Sequence, residues 1–420
     1  MMQTIADSRH ADVEEPARIA PGPWLRLSAL LAAGATAAVI AAGAAGYNHA
    51  HALLSLVALA PLVAIAVSAW LAHPWLRRPV AVALGFLLAQ VALGAVIALA
   101  GNSTGLRVAH AAMAALAFAA ALVVAVRVHS GEPVQAGPWR DYVTLTKPRI
   151  MSLLLLTALC GMFVAAQGVP STQLMLATMV GLALACGGAS ALNHYMDRDI
   201  DVHMRRTDAR PVAAGRVPPT RALEFGLSLS GFSFVLLACT TNVLTAMLAL
   251  IGNLFYVLVY TGYLKRRTAQ NIVIGGAAGA VPPLVGYAAV SGDLTLAAAL
   301  LFLIVFVWTP PHFWALALLI RRDYEAAGVP MLPVVRGERE TTRQIVLYTV
   351  VMVAVTLLPV AVGVEGWLYG ICAAGLGAVF LWLAVKLRRH TSPHEAKVLF
   401  HYSLLYLALV FAALAVGAAT

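Results

Sequence analysis

Charge is what this chain has least of. Of its 420 residues, 11% are charged and 61% are hydrophobic. Apolar runs of roughly 18 to 25 residues recur, too long and too many for a soluble core, and they read as transmembrane helices. Ten-residue segments of alternating polarity are missing, which excludes a closed membrane β-barrel. Cysteine is sparse. Cys160, Cys186, Cys239 and Cys372 all fall inside apolar segments, with neither metal-site nor disulfide spacing, and read as small buried hydrophobes. No short cleavable signal stands out. Residues 1–23 carry Asp7, Asp12, Glu14 and Glu15, against the acid-poor composition of a mitochondrial transit peptide, so the first helix is expected to be retained and the source to be bacterial.

Basic residues are also missing, but only from every second loop. One set of loops and termini holds 27 of the 28 Lys and Arg; the other set holds Arg107 alone. The net charge of +10 is therefore topology first, and no nucleic-acid partner is expected. The basic loops belong on the cytoplasmic side of a cell inner membrane, with lipid as the surrounding partner.

Thirteen helices are expected, centred near residues 36, 62, 90, 117, 159, 182, 230, 252, 280, 307, 353, 377 and 408. The polar stretch HSGEPVQAGPWRD at 129–141 divides them. The expected organisation is an all-α integral membrane protein: residues 1–130 a four-helix membrane domain, 131–141 a linker, and 142–420 a nine-helix bundle. The four helices carry no acidic residue; the nine hold every candidate for chemistry. Their inner loops are long and charged and their outer loops short, so the active end faces inward. Pro282–Pro283 and Pro310–Pro311 are expected to interrupt two helices, either for shape or to free backbone carbonyls.

The most informative run is ALNHYMDRDIDVHMRRTDARP, at the inner end of an apolar helix. Asn193, Asp197 and Asp201 recur every four residues, which stacks hard oxygen ligands for Mg²⁺ on one helical face. Arg205, Arg206 and Arg210 follow and suit phosphate. The alternative is a solvated helix end, since Asp199 and Asp208 lie nearby. Asp323 is a candidate for a second Mg²⁺ site, and Lys265 with Arg266 could bind diphosphate or simply anchor the helix at the membrane edge. His312, in WTPPHFWALAL, is either a satisfied core histidine or an iron ligand, with His194 as a rival. In the first four helices, His51 and His110 both lie near the outer face. They are either interfacial or a bis-histidine haem pair, with His49 able to replace His51.

The runs TKPRIMSLLLLT, NHYMDRDIDVHMRRTDARP, YTGYLKRRTAQNIVIGGAAGAVPPLVGYAAVSG, WTPPHFWALAL and DYEAAGVPMLPVV carry a resemblance. Residues 142–420 resemble the haem O synthases, or protoheme IX farnesyltransferases, of the UbiA-type intramembrane prenyltransferase superfamily. The resemblance implies transfer of farnesyl from farnesyl diphosphate to a vinyl group of haem b with addition of water, giving haem O and diphosphate. It implies Asn193, Asp197, Asp201 and Asp323 around Mg²⁺, and Arg205, Arg210, Lys265 and Arg266 around diphosphate. The second acidic motif is sparse here, which leaves Asp323 nearly alone in it. Residues 1–130 resemble one four-helix half of a haem A synthase-type protein, which implies a bound haem there and a haem A synthase as partner. The runner-up function is prenylation of an aromatic quinone precursor, which needs the acids but no iron ligand. Transport is the rival of another class. It would call for charges at the midplane of broken helices, whereas these acids gather at one face.

Overall fold

The structure, a computed structural model, describes residues 20–44, 48–100, 104–131 and 137–419. The acidic tail, the middle of the linker, and the side chains of His49 and Arg107 lie outside the described residues.

Each expected helix occurs where the apolar runs put it. The first four are α1 (Pro23–Ala44), α2 (Asn48–Leu71), α3 (Arg77–Ala100) and α4 (Thr104–Ser130). They pack on one another around Leu25, Leu62, Ile65, Leu76 and Leu87, a core of their own. A short surface helix, α5 (Trp139–Leu145), starts inside the stretch read as linker. Then come α6 (Pro148–Ala166) and α7 (Thr172–Met196), a single turn α8 (Arg198–Asp201), and α9 (Pro219–Thr240). The next span is composite: α10 (Val243–Leu254), a π-helical segment (Phe255–Leu264) and the turn α11 (Lys265–Arg267). After it run α12 (Asn271–Ser291) and α13 (Leu296–Leu319). Two short inner helices follow, α14 (Arg321–Ala326) and α15 (Leu332–Val335), and then α16 (Gly337–Ala361), α17 (Trp367–Arg389) and α18 (Pro393–Ala419). Among the described residues there is no strand. Among the described residues, twelve helical stretches are long and apolar enough to cross a membrane, and Val57–Leu71 of α2 is a shorter one. The chain is a multi-pass integral membrane protein.

The nine spans close a ring: α6 touches α7, α12 and α18, and the intervening helices pack in sequence. Small residues permit this. A Cβ at Gly161 would lie 2.6 Å from the Pro283 carbonyl oxygen, and one at Gly286 would strike the Ala158 carbonyl. In lipid, helices are held by such close packing. Contrary to the expectation of interrupted helices, α12 and α13 run on through Pro282–Pro283 and Pro310–Pro311, all four buried. Packing against neighbouring helices holds the backbone helical where an isolated helix would break.

The four-helix bundle docks on the ring through α4 against α9. Arg127 on α4 forks onto the Glu224 carboxylate at 3.0 and 3.3 Å, and Ile40, Ala114 and Ala115 pack with Val235.

Candidate active site

Seven residues before the end of α7, the helix still looks like any other span; at its last turn it fills with polar groups. Met196 ends the helix, and Asp197 takes φ −87°, ψ 1°, turning the chain into α8. The four-residue step survives in the backbone: Asp197 N donates to Asn193 O and Asp201 N to Asp197 O, each at 2.8 Å. The side chains do not continue as one column. Asn193 Nδ2 donates to Asp197 Oδ2 at 2.7 Å and to the Thr261 hydroxyl at 3.1 Å. Asp201 instead receives Arg210 Nη1 on both oxygens, at 2.8 and 2.7 Å. The bend at Asp197 accounts for the difference, because a straight helix is what the spacing assumed.

Asp197 is fully buried. Lys265 Nζ donates to its Oδ2 at 2.6 Å, while its Oδ1 accepts no hydrogen bond among the described residues and has only the Arg266 guanidinium, at 3.8 Å, as a nearby cation. A buried carboxylate oxygen without a donor is costly unless a cation completes it. Arg266 works beside it: its guanidinium grips both oxygens of Asp199 at 2.6 and 2.7 Å and the Met196 carbonyl at 2.8 Å, pinning the α7–α8 turn. Those bonds pull the Asp199 carboxyl down to about 2.

One residue at the mouth was not foreseen as a site residue. Lys147 precedes Pro148 with φ 51°, ψ 58°, a left-handed backbone rare for a non-glycine residue. That conformation starts α6 with the Lys147 ammonium turned inward, where Nζ donates to Asn193 Oδ1 at 2.8 Å. Burial first, then the positive Arg210, holds its pKa well below the usual lysine range. The π-helical segment supplies three more unforeseen groups. Thr261 bonds Asn193, and Tyr256 and Tyr260 stack at 5.6 Å on the cavity wall. Extra residues in a helical turn are seldom visible in sequence and often mark functional sites.

These groups open into one cavity of about 500 Å³. Lys147, Asn193, Asp197, Arg206, Arg210 and Lys265 form its polar end; Leu182, Val281, Trp308, Phe400, Leu404 and Leu407 line its apolar part. His312 lies on the same wall, with Nδ1 2.6 Å from the Ser403 hydroxyl. Not every candidate lines it. Asp201 and Arg266 stand behind the wall in the pairs described. Asp323 accepts the Arg206 backbone N–H at 3.3 Å, which joins the two acidic loops. Arg205 is exposed, and His194 is buried with both ring nitrogens making no hydrogen bond among the described residues. Among the described residues, no three of His, Cys, Asp and Glu gather as a metal cluster. A wider hollow of about 910 Å³ lies elsewhere and is lined by arginines, glutamates and threonines.

Near the first turns of α2 and α4, His51 and His110 are brought together, ring centroids 5.9 Å apart at 68°. His51 Nδ1 lies 2.8 Å from the Val39 carbonyl, and Gln90 Nε2 lies 2.9 Å from His110 Nε2.

The helical ring is a fold that solved proteins share. A solved structure described as a UbiA homolog from Archaeoglobus fulgidus bound to GPP and Mg²⁺ superposes with TM-score 0.51 at 14% identity, over 65% of this chain and 99% of that one. A structure described as digeranylgeranylglyceryl phosphate synthase superposes with TM-score 0.57 at 19% identity, over 67% and 98%. Among curated relatives, the protoheme IX farnesyltransferase of Roseiflexus castenholzii is 46% identical over 403 residues, 88% of this chain and 75% of that protein. That is more of this chain than residues 142–420 supply, so the likeness reaches into the first four helices. The protoheme IX farnesyltransferase of Symbiobacterium thermophilum is 53% identical over 290 residues, 69% of this chain and 95% of that protein. The model of the UbiA prenyltransferase family matches residues 154–417, which contain the acidic turn, the π-helical segment and most of the cavity wall. By that match and by its relatives, this chain belongs to the UbiA prenyltransferase family.

Proposed function

We propose that this chain transfers the farnesyl group of farnesyl diphosphate to a vinyl group of haem b, with addition of water, to give haem O and diphosphate. The observation that carries the reading is the single cavity, cationic and acidic at one end and apolar with a histidine at the other. The names of the relatives supply the farnesyl group and the protoheme.

The mouth fits a metal-bound diphosphate. Asp197 Oδ1 is the buried oxygen that lacks a donor. Asp197 and Asn193 would hold Mg²⁺ there, with Asp201 and Asp323 behind them. Protein ligands are few, as suits an ion that keeps water and substrate phosphate in its shell. When bound, Mg²⁺ neutralises the leaving diphosphate. The chain's own cations do the rest. Lys265, Arg206 and Arg210 outnumber Asp197 and Asp201, so the mouth keeps net positive charge for an anion, with the Lys147 amine as a further donor beside them. Fixed in place, they stabilise charge as the allylic C–O bond breaks and its electron pair departs with diphosphate. Arg205 and Arg266 act more remotely, Arg266 by holding the acidic turn. The apolar walls keep water from the allylic cation until the vinyl carbon attacks it. Water then adds to the new cation and loses a proton.

His312 is the proposed iron ligand for the haem substrate; His194, closed off from the cavity, is the weaker rival. In the four-helix domain, residues 1–130, His51 and His110 are proposed to ligate a second haem once Gln90 releases His110. The linker at 131–141 would separate this domain from the prenyltransferase domain, 142–420. A haem A synthase would take the product. The basic mouth would face the cytoplasm across a bacterial inner membrane.

The test is acceptor choice. Purified full-length protein receives farnesyl diphosphate and Mg²⁺ with either haem b or 4-hydroxybenzoate. Haem O with no prenylated phenol is expected; prenylated phenol with unchanged haem b would favour the quinone-precursor reading.

A further inference from the structure

His312 projects from α13 with both ring faces covered: the Trp308 ring lies 4.2 Å away at 15° and the Phe400 ring 5.0 Å away at 23°. Trp308 comes from the preceding turn of α13 and Phe400 from α18, so the imidazole is held as the middle layer of a stack between two helices. A second tie fixes the layers. Trp308 Nε1 donates to the Ser403 carbonyl at 2.8 Å, locking the backbone of α18 at Ser403 to α13.

Within this stack the proton positions follow from a short chain of bonds. The Ser403 hydroxyl donates to the Phe400 carbonyl at 2.6 Å. A serine has one hydroxyl proton, so toward His312 its oxygen can only accept. The 2.6 Å contact therefore requires His312 Nδ1 to carry a proton and donate it. A neutral imidazole has only that one N–H. Nε2 is left with its lone pair, and it makes no hydrogen bond among the described residues, while the His312 ring lines the cavity. Histidines that ligate metals usually present one nitrogen while the other N–H is held by a protein acceptor, which sets tautomer and ring direction.

We propose that Ser403 is a positioning residue for the haem acceptor: it holds His312 as the Nδ1–H tautomer and so presents a bare Nε2 to the porphyrin iron. This rests on the reading of His312 as the iron ligand. A core histidine kept only for packing would be held equally well by either tautomer. Here the acceptor is spent on the nitrogen away from the cavity.

The test is haem b titration of the full-length protein without farnesyl diphosphate, in a His51→Ala/His110→Ala background that removes the other proposed haem site. Absorption and ferric EPR spectra are read together with the dissociation constant. A histidine-ligated spectrum is expected, lost in His312→Ala and restored there by added imidazole. Ser403→Ala should weaken haem binding by about 10-fold and broaden or shift the ferric EPR signal. Ser403→Thr, which keeps the oxygen, should restore both. Should Ser403→Ala not fold, Ser403→Cys, close in size and a weak acceptor, carries the same comparison, with weakened binding expected. If His312→Ala binds haem with the parent spectrum, the ligand reading itself fails. If His312→Ala loses the spectrum while Ser403→Ala and Ser403→Cys match the parent in spectrum and affinity, the ligand stands and the role of Ser403 is overturned.

Discussion

Asp197 shows how much a single position decides. It caps α7, bends the chain, receives Asn193 and Lys265 on one oxygen and among the described residues keeps the other without a hydrogen-bond donor. The four-residue spacing singled it out, but the lysines around it were not legible, since Lys265 reaches Asp197 from 68 positions away in the chain and Lys147 reaches Asn193 from 46. Lys147 lay inside a quoted motif, TKPRI, yet nothing in local sequence marks a left-handed residue that turns its side chain inward. Glu365 belongs to this scale too. It lies in the loop between α16 and α17, 8% exposed, and burial raises its carboxyl from 4.5 to about 7. The folded protein therefore keeps a proton that the unfolded chain releases between those values, and stability falls as pH rises from about 4.5 to 7. Glu365→Gln should raise the unfolding temperature at pH 8 and leave it nearly unchanged at pH 4.5, read by thermal scans at both pH values.

At the scale of elements, length and hydropathy foretold every span, because a bilayer permits few alternatives to a twenty-residue apolar helix. What escaped was irregularity within spans. The π-helical segment carries Tyr256, Tyr260 and Thr261 into the site, and its extra turn geometry leaves no trace in hydropathy. The paired prolines erred the other way, since their local preference is overridden by packing against neighbouring helices. Helix contact at α6–α12 depends on glycine. Gly286→Val would drive its side chain into the Ala158 carbonyl and should cost about 1–3 kcal/mol or more. Gly375 has nothing within 4 Å of a Cβ, so Gly375→Ala should be neutral or slightly stabilising. Thermal unfolding of the two variants in micelles checks the contrast.

For the whole molecule, the sequence indicated two groups of helices but not how they meet. The meeting is specific: α4 lies along α9, with Arg127 near the end of α4 paired to Glu224 near the start of α9. Glu224 is buried, so removing Arg127 weakens the compensation of a desolvated carboxylate, and such losses are usually large. Arg127→Ala should lower the unfolding temperature of the full chain more than Arg343→Ala, whose pair with Glu340 is exposed at 3.4 Å. The same scale holds the two haem proposals, one at each end of the membrane. Bound haem per protein should fall by half in His51→Ala/His110→Ala, measured by pigment extraction; an unchanged ratio would remove haem from the four-helix bundle.

The central claim is that one cavity couples a metal-bound diphosphate to a haem acceptor through Asp197. Mass spectrometry of the pigment formed from haem b and farnesyl diphosphate with Mg²⁺ tests it most directly. Haem O should appear with the unaltered chain, fall at least about 100-fold with Asp197→Ala, and vanish when Mg²⁺ is chelated. Undiminished haem O from Asp197→Ala would contradict the account.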